Sequence, residues 1–142
     1  MMPFPKNTFK NLGLIKREDC TGDTLMPRNM SFMLTKEQIR AKTKTVTRRL
    51  GWWFLKPDDV VWACEKCMGL KKGEKVRRIC LIQIVDTHPE PLTAITQEEC
   101  AKEGFPDMTP GQFIKMFCDF DRCKPDTIVN RIEFRYGSSD WN

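Results

Sequence analysis

Between Lys42 and Trp53 the chain reads Lys-Thr-Lys-Thr-Val-Thr-Arg-Arg-Leu-Gly-Trp-Trp, which is four cations, three hydroxyls and two indoles with only Val46 and Leu50 as aliphatic filler. Lysine and arginine supply donors for an anion, threonine donates and accepts at short range, and tryptophan offers a flat face for a base. A nucleotide answers all three. The candidate nucleic-acid contacts are therefore Lys42, Lys44, Arg48, Arg49, Trp52 and Trp53, with Lys71 and Lys72 of a downstream basic loop as a further phosphate-binding surface. The same pattern also suits a solvent-facing edge strand kept from aggregating by its cations, and a solvated basic loop.

A second chemistry is present in the same stretch. A threonine hydroxyl is a poor nucleophile until a nearby base takes its proton, and a lysine becomes that base when burial or neighbouring cations lower its pKa. Lys44 and Thr47 are such a pair, with Lys42, Arg48 and Arg49 as the neighbouring cations. The β-branched threonines and Val46 favour an extended chain, in which side chains three apart point to opposite faces. Bringing Lys44 to Thr47 thus requires a bulge or bend, with broken pairing at Thr45 and Val46.

The chain that must position these groups has 142 residues, 40% hydrophobic and 30% charged, which suits one domain with one core. Its formal charge of +5, from 24 Lys plus Arg against 19 Asp plus Glu, is compatible with a polyanion partner. Seven cysteines is an odd number, and no apolar run approaches a secretory signal core or a membrane span. These features lead us to expect a reduced, cytoplasmic protein with no membrane contact, its thiols serving mostly as small hydrophobes.

Prolines, glycines and mixed charges without a period suggest an irregular arm over residues 1–29, ahead of a compact domain over 30–136 and a tail over 137–142. Thr35 with Gln38 predicts a capping box and a brief helix through about Ala41. A strand over about Asp59 to Lys66 follows the turn at Lys56-Pro57-Asp58-Asp59. The longest β signal, Val76 to Asp86, is apolar on both faces and is expected at the centre of the sheet, with Pro89 and Pro91 ending it. Thr96 with Glu99, and Thr109-Pro110 with Gln112, predict two further helix starts. Phe113, Met116, Phe117 and Phe120 recur at helical spacing, a core stripe. Asp126 to Tyr136 closes the domain as a strand with Ile128, Asn130, Ile132, Phe134 and Tyr136 on one face. The class is α+β, a small curved mixed sheet or β-barrel with two to three short helices.

Taken together, Lys44-Thr45-Val46-Thr47-Arg48, the turn into Asp58-Asp59-Val60, Glu103-Gly104-Phe105-Pro106 and Arg131-Ile132-Glu133-Phe134 resemble the ASCH domain, a relative of the PUA-like RNA-binding barrels, over roughly Met30 to Tyr136. The run from Gly69 to Lys75 resembles a phage and prophage subgroup, which would place the protein in the cytoplasm of a bacterial host. The resemblance implies a PUA-like barrel whose basic cleft binds RNA or a modified nucleoside, with DNA also open. Some small bacterial members are amidohydrolases that deacetylate N(4)-acetylcytidine with a lysine, a threonine and a downstream glutamate. Carried over, the catalytic residues are Lys44, Thr47 and Glu103, although Arg49 stands where those enzymes have an acidic residue. In that role Glu103 would carry a proton to the leaving amine and Arg48 would steady an oxyanion or phosphate. A barrel retained only for protein contacts is a third reading.

Other motifs offer less. Cys64-x-x-Cys67 has metal-ligand spacing, but Cys118 and Cys123 are a poor second pair, and no Walker or Rossmann glycine loop occurs. His88, the only histidine, sits at what reads as a strand-ending turn, which disfavours a classical triad. No cofactor or metal is expected. Chelator treatment should therefore leave the thermal unfolding transition in place; stoichiometric zinc with unfolding on its removal would contradict this.

Overall fold

The computed structural model describes residues 27–67 and 70–137. Most of the expected arm, the Gly69 end of the phage-like run and the tail beyond residue 137 lie outside the described residues. Among the described residues five strands form one mixed sheet: β1 (Arg28–Ser31), β2 (Val46–Arg49), β3 (Val60–Cys64), β4 (Arg78–Pro91) and β5 (Ile128–Tyr136), in the order β1-β3-β4-β5-β2. The β1–β3 pair is parallel and the others antiparallel. Among the described residues three α-helices accompany the sheet, α1 (Lys36–Arg40), α2 (Gln97–Lys102) and α3 (Pro110–Asp121). The α+β class and the curved mixed sheet thus hold, and the sheet curls into a half-barrel.

The central place of β4 follows from its two apolar faces. Its first half pairs with β3 and its second half with β5, and a register shift between Ile84 and Asp86 kinks it where the partner changes. Pro89 and Pro91 do not end this strand, which runs on to Pro91 with Pro89 opposite Asn130. Among the described residues the strand beyond Ile84 pairs with β5 alone, so an amide on its other side has no strand there to donate to and proline costs little. His88 accordingly lies within the strand rather than in a turn, exposed between Asp86 and Glu90.

Two clusters make the core. Met30, Phe32, Ile39, Leu55, Val61, Ala63, Ile82, Ile84, Ile132 and Phe134 fill the concave side of the sheet. Leu92, Ile95, Cys100, Phe113, Phe117 and Val129 form a second cluster under α2 and α3. The aromatic stripe of α3 is therefore divided: Phe113 and Phe117 are core, while Phe120 is exposed.

Helix ends explain how the segments meet. Thr96 and Thr109 cap α2 and α3 through their side chains, the latter in a full capping box. Thr35 makes no side-chain cap, because it is buried and Gln38 reaches instead to the Gly104 carbonyl at 3.1 Å. At the far end of α2, Phe105 N–H donates to Cys100 and Gly104 N–H to Ala101, a Schellman closure with Gly104 at φ +103°. A Cβ at Gly104 would stand 2.9 Å from Gln38 Cγ in a conformation that L residues avoid. Gly104→Ala should lower the urea midpoint, costing about 1–3 kcal/mol with the m-value unchanged.

Candidate functional site

The approach to β2 is bent before the strand begins. Lys42 takes φ +63°, its N–H bonded back to Ile39, and the Thr45 N–H leaves the sheet to bond the Lys102 carbonyl at 2.9 Å. The expected break in pairing is thus found only in part at Thr45, whose carbonyl still accepts from the Phe134 N–H at 2.9 Å, and not at Val46, which pairs with Glu133. The bend follows from the unsatisfied carbonyls at the end of α2: Thr45 satisfies Lys102, and Lys44 Nζ satisfies Glu103 at 2.7 Å. Cations are favoured at a helix C-terminus, so Lys44 is held there twice over, by carbonyl and by charge.

Lys44 Nζ also bonds Glu103 Oε1 at 2.7 Å, and both side chains are almost wholly buried. Thr47, likewise buried, lines the same cavity as Lys44, Arg48 and Glu103. Lys44, Thr47 and Glu103 therefore share one cleft of about 300 Å³. Burial pulls the Lys44 ammonium below its ordinary pKa of 10.5 against the opposing pull of Glu103, and Arg49 and Arg48 push the same way as burial.

Arg48 is the hub of a wider network. Its guanidinium donates to Glu103 Oε2 at 3.0 Å, to Glu99 Oε1 at 2.8 Å and to Glu90 Oε2 at 2.9 and 3.2 Å. Burial acts to lower its pKa, but Glu103, Glu99 and Glu90 hold it above the ordinary value. Arg131 closes the network with a forked pair to Glu99 at 2.7 and 3.1 Å. Arg48 thus finds its anions inside the molecule. Although β2 is an edge strand by topology, Val46, Thr47 and Arg48 are all buried, so the solvent-facing alternative does not describe it.

Arg49 takes another course. Its Nε donates to Thr47 Oγ1 at 3.2 Å and its guanidinium lies 4.7 Å over the Phe32 ring. Burial lowers its pKa to about 10. A cation on the hydroxyl oxygen stabilises the alkoxide and leaves the hydroxyl hydrogen free for a base. Opposite the polar wall the cleft is apolar, with Phe105, Phe113, Met116, Phe117 and Phe120 facing it. Of the remaining expected contacts, Lys42, Lys71 and Lys72 are exposed, Trp52 is half-buried and Trp53 is 52% exposed. Cys64 is buried and Cys118 and Cys123 stand 3.9 Å apart as free thiols. Among the described residues no group of three or more His, Cys, Asp or Glu could hold a metal.

No family model matches the sequence, and no curated protein does. Solved structures do. The ASCH domain from Lactobacillus crispatus JV V101 superposes with a TM-score of 0.58 at 13% identity, covering 92% of this chain and 94% of that one. A DUF984 protein from Enterococcus faecalis V583 gives a TM-score of 0.58 at 13% identity, over 90% and 93% of the two chains. The chain has the ASCH fold. The order of motifs read from the sequence is thus matched by the architecture, while the phage-type resemblance has no counterpart in these neighbours. Within the described part of this ASCH fold no helix is long and apolar enough to cross a membrane.

Sequence reasoning overlooked Glu90, Glu99 and Arg131. Glu99 was legible only as a helix-start residue; its backbone N–H does bond Thr96, but its carboxylate turns to the arginines instead. The surplus of carboxylates between Glu90 and Glu103, set against a cation-rich strand, is the signal that points to them. Hydrogen bonds from Arg131, then from Arg48 against the cost of burial, hold the Glu99 carboxyl at about 2, below its ordinary 4.5. A depressed folded-state pKa contributes stability that is present above pH 4.5 and lost as pH falls towards 2. Glu99→Gln should lower stability at pH 7 by on the order of 2 kcal/mol and flatten the fall between pH 4.5 and 2, as measured by denaturant titration across pH.

Proposed function

We propose that the cleft hydrolyses an amide on an acylated nucleobase, N(4)-acetylcytidine or a related modified nucleoside. The observation that carries this reading is the enclosure of Lys44, with its depressed pKa, in the same cavity as a threonine hydroxyl. An open basic face would have favoured binding alone. Lys44 in its neutral form takes the proton of Thr47, whose oxygen attacks the amide carbonyl. The C–N bond then breaks, the amine leaves with a proton returned through Lys44 and Glu103, and the acyl group remains as a threonine ester. Water cleaves the ester, releasing the carboxylic acid and restoring the hydroxyl.

In this scheme Arg49, already on Thr47 Oγ1, supports the alkoxide. Arg48 has four of its five N–H donors engaged by Glu90, Glu99 and Glu103, so its chief part is to position Glu103. The apolar wall accepts the flat base and the acyl group. The nucleic-acid-binding reading keeps its support beside the cleft, where Arg49 and Trp52 border a neighbouring groove.

Thr47→Val and Lys44→Met should each reduce kcat on an N-acylated cytidine by about 100-fold or more while leaving the circular dichroism spectrum unchanged, and the double variant should lose little beyond the worse single one. Because the neutral amine is the base, the rate should rise with pH through an apparent pKa below 10.5. Absence of turnover across a panel of acylated nucleosides would remove the proposal.

A further inference from the structure

Immediately after β2 the chain makes a costly excursion. Trp52 sits at φ +65°, a left-handed conformation that a bulky residue adopts only when its surroundings impose it. They do: the buried Asn130 donates to the Trp52 carbonyl at 2.9 Å and to the Gly51 carbonyl at 3.4 Å, and the Trp52 indole packs on the main core. The result is that Phe54 is carried outward and left 55% exposed, with Trp52 tilted beside it at 5.5 Å between ring centroids. Strain of this kind, secured by a buried polar anchor, is characteristic of ligand-contacting segments.

A shallow groove runs along this excursion, bordered by Arg28, Asn29, Arg49, Gly51, Trp52 and Phe54. It is continuous with the cleft, because Arg49, Leu50 and Asp121 line both. Its charge is positive on balance. The Arg28 guanidinium lies 4.8 Å over the Phe54 ring and has no carboxylate partner among the described residues, whereas the charge of Asp121 is opposed by Arg49. An exposed aromatic face, a stacked arginine and an adjoining cation are the elements that hold a base and its phosphate in single-stranded nucleic acid.

We propose that the modified base is presented within a single strand, its neighbouring nucleotide lying in this groove against Phe54 and Trp52 with its phosphate between Arg28 and Arg49. This rests on the hydrolytic reading of the cleft but makes a separate demand, which is binding of unmodified strand. The charge and stacking at the groove serve RNA and DNA alike.

The test uses the intact protein with unmodified RNA and DNA octamers, read by quenching of tryptophan fluorescence, and with N(4)-acetylcytidine both free and embedded in the RNA octamer. Either octamer should quench with saturation and weaken as salt rises, with a log-log slope of about −0.7 for the one phosphate held. Phe54→Ala and Arg28→Gln should each weaken octamer binding tenfold or more, and kcat/KM should favour the embedded base over the free nucleoside by at least tenfold, a preference both variants reduce. Octamer binding that depends on Phe54, without any hydrolysis, upholds the groove and removes the amidohydrolase. Hydrolysis of free and embedded substrate at equal kcat/KM, or octamer binding indifferent to Phe54 and Arg28, overturns the groove and leaves the amidohydrolase in place.

Discussion

The interaction on which the rest of the arrangement depends is the buried guanidinium of Arg48. It gathers Glu90 from the end of β4, Glu99 from α2 and Glu103 from the end of α2, and so fastens the helical layer to the edge of the sheet. A buried charge of this sort is expensive to desolvate and tolerable when it is well paired, and four of its five N–H groups are bonded to carboxylates here. Removing a partner would strand a charge; removing the guanidinium would leave three carboxylates facing one another. Such a network contributes less to net stability than to uniqueness of arrangement, since few alternative packings could satisfy five directed charge contacts at once.

The chemistry of the cleft follows from that constraint. With Glu103 clamped by Arg48 on one oxygen, its other oxygen is presented to Lys44 at a fixed place. Burial and the nearby arginines push Lys44 towards neutrality while Glu103 pulls it towards charge, so the proton is held in contention between groups that touch. The Thr47 oxygen accepts a hydrogen bond from Arg49 Nε. Much of the remaining wall is apolar, built from Phe105, Phe113, Met116 and Phe117, and low polarity on that side strengthens these electrostatic contacts.

Local chemistry and long-range chemistry contribute differently. The end of α2 is closed by a Schellman turn that depends on Gly104, yet the reason the turn matters is that it leaves the Glu103 carbonyl and carboxylate both available to Lys44, 59 positions earlier in the chain. Likewise β4 is central because its residues are apolar on both faces, but the kink at Ile84 comes from its change of partners.

From the sequence alone came what depends on short-range physics: the α+β class, the capped starts of α2 and α3, the centrality of β4, and the demand that Lys44 and Thr47 be brought together by a bend. The residues Lys44, Thr47 and Glu103 were legible as a group only through the order of motifs that resembles the ASCH domain. The tertiary structure decided which anions the cations of β2 would meet. Read in isolation, Arg48 calls for an external phosphate, because nothing within hydrogen-bonding reach along the chain neutralises it. Only folding brings Glu90, Glu99 and Glu103 to it, across 42, 51 and 55 positions. The persistence of β4 through Pro89 and Pro91 was undecidable for the same reason, since proline ends a strand or not according to whether a neighbour lies on the side of its missing N–H, and neighbours are a property of the sheet.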